Sequence, residues 1–182
     1  MSVPSGHIRC HGCEYQGVLQ YRPLTLRYRL PDGETVDRGR TFGWCDNCDE
    51  IRDIECELEA SAVRRRLDAA NQKQQSIGVL FMSAINRALS ARPSAAQSEV
   101  QELARLLRLA EQRRSSPRCL SCGEESVTHL SFDDQGTSSN FHHTCGGRLY
   151  SVPADPDAPR FNYRPEVLFL DVEGRRLKQM DI

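Results

Sequence analysis

The sequence has little lysine: of 24 basic residues only Lys73 and Lys178 are lysines, and the other 22 are arginines. It also has little net charge, formally −1, which excludes a polycation held to nucleic acid by bulk charge alone. No apolar run approaches the ~20 residues that span a bilayer. The longest, residues 77–85, is broken by Gly78 and Ser83. Residues 1–6 have no basic stretch and no apolar stretch follows them, so the expectation is a chain without a signal peptide or membrane contact, placed in the cytoplasm. Hydrophobic residues make up 38% and the mean hydropathy is −0.57, lean for one large core but too apolar for disorder.

What the sequence does have is cysteine. There are eight, more than ordinary usage but well below the ~8–10% of disulfide scaffolds. In a reducing cytoplasm, clustered thiols point to metal before disulfide.

The pattern of elements predicts an α+β chain in three parts: a β module over 1–50, a helical hairpin or long helix with a return helix over 51–115, and a second β module over 116–182. In the first part, Leu24, Leu26, Tyr28 and Leu30 alternate with Thr25, Arg27 and Arg29, which reads as a half-buried strand. A turn at Pro31, Asp32, Gly33 and Glu34 returns it along residues 35–44. In the second part, Ile51, Ile54 and Leu58 have helical spacing, continued by Val63, Leu67 and Ala70 and then by Ile77, Phe81, Ala84, Ile85 and Leu89. The reading is either a single rod to Arg92 or a break near 71–78. Pro93 stops the run, Ser94 and Gln97 suit a capping box, and Val100, Leu103, Leu107 and Ala110 form the stripe of a return helix. In the third part, a proline-rich link at 153–159 precedes a hairpin over 167–180 with a turn at Glu173 and Gly174, expected to extend the second β module.

Two metal sites are expected in succession along the chain. Cys10 and Cys13 are followed, after 31 intervening residues, by Cys45 and Cys48. Each CxxC forms a tight knuckle, and a hairpin between two of them would close four thiolates around one tetrahedral Zn²⁺ at Zn–S distances of ~2.3 Å. The second set is Cys119, Cys122 and Cys145, completed by a histidine. His142 stands at the CxxC offset from Cys145 and is favoured over His143. Both sites have four protein ligands and no position left for water, which predicts two structural zinc ions and no catalytic metal. Modules of this size have small cores, and a structural zinc supplies an apparent ~10–16 kcal/mol in small peptides. With a Cys₄ site at −2 and a Cys₃His site at −1, the metallated chain carries about −4.

Two knuckles joined by a β-hairpin resemble the zinc-ribbon group, here twice, over roughly 7–50 and 117–152. The resemblance implies structural modules of the kind that recur in transcription, replication and RNA processing and as protein-docking platforms. It assigns no particular function.

The remaining candidates are minor. Cys56 is left over and is expected to be a small buried hydrophobe. His7, His11 and His129 read as surface or packing residues, and Trp44 and Phe141 as side chains packed behind the metals. The functional expectation is a non-enzymatic adaptor or assembly subunit, using the helical segment for a protein partner or for self-association. The alternative is a nucleic-acid-binding protein using an arginine face of Arg22, Arg27, Arg29, Arg38 and Arg40.

Overall fold

The computed structural model describes residues 2–3, 5–80, 95–133, 136–152, 161–162 and 164–178. The fold is α+β, with two helices central in the sequence and short strands in small sheets. In chain order the elements are β1 (Ser2–Val3), β2 (Ser5–Cys10), β3 (Gln16–Gln20), β4 (Leu24–Arg29), β5 (Thr35–Arg38), β6 (Arg40–Cys45), β7 (Glu50–Glu55), α1 (Ala60–Leu80), α2 (Ala95–Gln112), β8 (Val127–His129), β9 (Thr137–His142), β10 (Arg148–Val152), β11 (Phe161–Asn162) and β12 (Glu166–Leu170). Among the described residues no helix is long and apolar enough to cross a membrane.

The sheets do not follow the three expected parts. Their orders are β3-β2-β10-β9, β12-β4-β5 and β7-β6-β8, with a two-stranded pair β1-β11. Each joins strands from before residue 50 to strands from after 116. Cys10 of β2 pairs with Leu149 of β10, Trp44 of β6 with Thr128 of β8, and Leu26 of β4 with Leu168 of β12. The boundaries at 50 and 115 therefore mark changes in composition, and no sheet ends there.

The alternation over 24–30 folds as read. Leu24, Leu26, Tyr28 and Leu30 are buried and form one core with Val36, Leu120 and Leu170. The return strand is split at Gly39: β5 pairs with β4, while β6 leaves for another sheet. The C-terminal hairpin forms around Asp171 and Gly174, with Leu170 bridged to Arg176. Its strand β12 runs parallel to β4, however, and does not extend the sheet of β9 and β10. Arg108 of α2 bridges Asp32 and Glu34 in the turn beyond β4.

The helical segment departs from expectation at its start. Residues 50–55 are strand β7, and the helix begins only at Ala60. The knuckle of Cys45 and Cys48 is the turn of the β6–β7 hairpin, so the chain comes out of it already paired, with Cys45 opposite Glu50 and Thr41 opposite Ile54. The spacing of Ile51 and Ile54 reflects burial on both faces of this strand rather than a helical stripe. Ile51 packs with Trp44 and Ile8 on one face, and Ile54 is fully buried on the other. α1 runs unbroken through 71–78. The stripe from Phe81 onward, the stop at Pro93 and the cap at Ser94 lie outside the described residues, as does the link at 153–159. α2 folds back antiparallel, since Arg64 near the start of α1 reaches Glu111 near the end of α2. Val63, Ala70 and Leu103 are buried, and Leu109, fully buried, joins the β4 core with Leu106 beside it. The hairpin thus packs on its own chain through the C-terminal half of α2.

Candidate metal centres

The four knuckles close in a nested order. Cys10 and Cys13 meet His143 and Cys145, forming an outer cluster, and Cys45 and Cys48 meet Cys119 and Cys122, forming an inner one. The succession expected from spacing, Cys10/Cys13/Cys45/Cys48 followed by Cys119/Cys122/His142/Cys145, is not the arrangement in the fold. The β2–β10 pairing carries Cys10 to the last knuckle, and the bridge of Ile54 to Cys119 carries the inner pair together.

Within each cluster all four donor atoms lie within 4.8 Å of one another. In the outer one Cys10 Sγ is 3.3 Å from Cys145 Sγ, and His143 Nδ1 is 3.4 Å from Cys13 Sγ and 3.5 Å from Cys145 Sγ. In the inner one Cys45 to Cys122 is 3.5 Å and Cys48 to Cys119 is 4.0 Å. Four ligands at ~2.3 Å from a tetrahedral ion stand ~3.8 Å apart, close to the separations in both sets, so each could hold such an ion. Thiolate and imidazole donors select a soft or borderline metal over calcium or magnesium.

His142 is outside the cluster. It ends β9 opposite Arg148, is exposed, and its Nδ1 lies 3.2 Å from the Gly146 carbonyl. Strand alternation turns the next residue to the other side, where the His143 ring stacks on Tyr15 at 4.9 Å and meets the edge of Trp44 at 5.1 Å. The last knuckle is therefore His-x-Cys. It is closed by the His143 N–H to the Gly147 carbonyl at 2.8 Å and by Gly146 in the left-handed region at φ +81°.

The knuckles show why glycine recurs around them. Gly12 and Gly147 donate N–H bonds to Cys10 Sγ and Cys145 Sγ at 3.3 and 3.4 Å. Their backbones press together, and a Cβ on Gly147 would meet Gly12 N at 2.5 Å and Cys10 Sγ at 2.7 Å. After Cys48 the left-handed position is taken by Asp49, at φ +52°, a residue that tolerates it better than most.

The two clusters differ in exposure. Cys45 and Cys119 are buried, and burial pushes the Cys45 thiol up to about 12. The outer cluster buries only Cys10, leaving Cys13 and Cys145 exposed. One thiol in each is acidified to about 6. Cys145 is lowered by the His143 ring and the Gly147 N–H. For Cys122 burial is outweighed by the Glu124 N–H, the Asn47 side chain and its neighbouring cysteines.

The arginines proposed for nucleic acid fall into separate settings. Arg22 and Arg40 share Asp53, at 3.2 and 2.5 Å, with the Arg40 side chain only 7% exposed. Arg27 clamps both oxygens of Asp37 at 2.6 and 2.7 Å. Arg38 reaches the Glu57 carbonyl, and Arg29 is exposed at the end of β4. Cys56 is half-buried, outside both clusters, with its thiol on the Gly39 carbonyl. His11 stacks on Tyr150, Trp44 stacks on Phe141, and His7 is exposed. The chain matches no protein-family profile, no curated protein and no solved structure.

Proposed function

We propose that this is a non-enzymatic zinc protein of the cytoplasm, an adaptor or assembly subunit in which two structural Zn²⁺ ions hold a scaffold that meets a macromolecular partner, chiefly protein. The observation that carries this reading is the closure of both clusters by four protein donors drawn from segments more than 70 residues apart, Cys48 with Cys119 and Cys13 with His143. A metal so enclosed has no open position for a substrate or water, and its work is to fix the chain. The partner or self-association surface is assigned to the helical hairpin, whose anchored end is the C-terminal half of α2. Affinity purification of the native chain, with and without nuclease, tests the reading together with metal analysis: two zinc ions and a nuclease-resistant protein partner support it, and turnover of a substrate by the zinc-loaded chain sinks it.

A nucleic-acid partner is the second reading. It is favoured by Tyr21, 48% exposed and set edge-on to Phe42 beside Arg22, which suits stacking of an unpaired base. It is weakened by the carboxylates that already neutralise Arg22, Arg27 and Arg40. Filter binding across a salt series separates the two, since phosphate contacts give a steep salt slope.

A further inference from the structure

We propose that the two clusters bind metal as a coupled pair, and that Tyr15 and Trp44 are the positioning residues that carry the coupling. This rests on the reading that both clusters hold a metal.

Tyr15 stands two residues after Cys13, and its carbonyl accepts the Cys10 N–H at 3.2 Å, so it is part of the outer knuckle. Its hydroxyl accepts the Ile51 N–H at 3.2 Å, on the strand that closes the inner hairpin. Its ring stacks on His143, the outer cluster's imidazole ligand. Trp44 is 2% exposed and immediately precedes Cys45 of the inner cluster. Its ring meets Tyr15 at 5.3 Å and His143 at 5.1 Å. The imidazole that completes the outer cluster is therefore oriented by a wall whose position depends on the inner one. A metal that fixes β6 and β7 through Cys45 and Cys48 also fixes the surface against which His143 takes its coordinating pose.

Chain topology acts in the same direction. Alone, the outer cluster brings together Cys13 and His143 across 130 residues, whereas the inner one joins Cys48 to Cys119 across 71. With the inner cluster closed, the ring left for the outer one shortens to about 53 residues, which favours its closure about fourfold. The aromatic contacts of His143 raise the expected factor above tenfold. Coupling of binding free energies is reciprocal, so the outer metal favours the inner by the same factor. The inner cluster, with four thiolates, two of them buried, and the shorter ring, fills first.

Cobalt(II) is the probe, because tetrahedral thiolate complexes absorb in the visible and Trp44, the single tryptophan, reports a paramagnetic ion nearby by quenching. The full chain is titrated as wild type, Cys48→Ser, Tyr15→Phe and Tyr15→Leu. The expected result is two Co²⁺ per wild-type chain, at least tenfold weaker outer binding in Cys48→Ser, and two Co²⁺ but a coupling factor reduced about threefold in Tyr15→Phe and further in Tyr15→Leu. Wild-type outer affinity in Cys48→Ser overturns the proposal, as does an unchanged coupling factor in both Tyr15 variants, which decide the matter if Cys48→Ser fails to fold. Fewer than two Co²⁺ on the wild type removes the metal reading itself, a failure distinct from two independent binding steps.

Discussion

Glu55 and Arg113 form a buried pair, the guanidinium meeting the two carboxylate oxygens at 2.9 and 2.5 Å with the carboxylate fully buried and the arginine side chain 7% exposed. The carboxylate also accepts the Tyr28 hydroxyl at 2.6 Å and the Arg118 N–H at 2.7 Å. Arg113 donates further to the carbonyls of Ser115 and Ser116. The pair thus joins β7, the end of α2, β4 and the residue before Cys119. Gly174, at φ +73°, lies against it so closely that a Cβ would come within 2.5 Å of Glu55 Oε1. A buried charge is tolerable only with its partner and its hydrogen bonds in place.

Glu55→Gln is therefore expected to destabilise the metal-loaded chain by about 3–5 kcal/mol, because it leaves the Arg113 charge buried without a counter-charge. Urea unfolding followed by circular dichroism measures it. Glu55→Gln combined with Arg113→Met should recover part of the loss, since removing both members of a buried pair costs less than removing one. An effect below about 1 kcal/mol for the single variant would show that the pair is solvated in solution.

Nested closure makes a prediction that successive ribbons do not. Cys45→Ser with Cys119→Ser should cost one zinc per chain, and so should Cys10→Ser with Cys145→Ser, because each double variant strikes one cluster. Cys10→Ser with Cys45→Ser strikes both and should leave the chain without a full site. Two ribbons in succession would give the opposite result, with the last variant keeping one zinc. Elemental analysis after gel filtration reads the outcome directly.

The reason the sequence did not distinguish these arrangements is energetic. CxxC spacing identifies knuckles by local geometry, and Cys10, Cys13, Cys45, Cys48, Cys119, Cys122 and Cys145 all sit in the clusters as ligand positions. Which knuckle faces which is a question of loop closure, and closing 71 residues rather than about 32 differs by only about 0.7 kcal/mol. Strand pairing overrides so small a preference, and pairing between β2 and β10 has no local signature. The alternation at Leu24, Leu26, Tyr28 and Leu30 was legible because one face of that strand is buried throughout. Strand β7 was not, because Ile51 and Glu55 are buried in different surroundings and the remaining spacing mimics a helix. Glu55 itself resembles any surface carboxylate until Arg113 is beside it. Gly12 and Gly147 press against each other where the two knuckles touch, a contact that spacing alone does not give.

The choice between adjacent histidines is a clean test of the outer cluster. His143→Ala should lower zinc content from two to one per chain, while His142→Ala should keep two. The ring of His142 is turned to the Gly146 carbonyl, whereas that of His143 is 3.4 Å from Cys13 Sγ. His143→Cys, which restores a fourth donor, should recover the second zinc, with weaker affinity because the contacts to Tyr15 and Trp44 are lost. Loss of a metal in His142→Ala with none lost in His143→Ala would reverse the ligand assignment.

Gly147→Ala should release the outer metal and spare the inner one. The added methyl would occupy space 2.5 Å from Gly12 N and 2.7 Å from Cys10 Sγ, so the two knuckles must separate, and neither obstacle is the flexible end of a side chain. Separating them moves Cys10 and Gly12 away from Cys145 and Gly147, and so pulls the Cys10/Cys13 knuckle off the donors that complete the tetrahedral set. The inner cluster draws no residue from either knuckle, and its own glycine, Gly123, has open space where a Cβ would stand. At Gly123 the barrier to substitution is conformational instead: φ is +82°, so Gly123→Ala strains the backbone without a clash and is expected to cost about 1–2 kcal/mol while retaining both metals. The two variants separate crowding from backbone strain, and zinc content measured beside thermal stability tells them apart: one metal for Gly147→Ala, and two with a lowered melting temperature for Gly123→Ala.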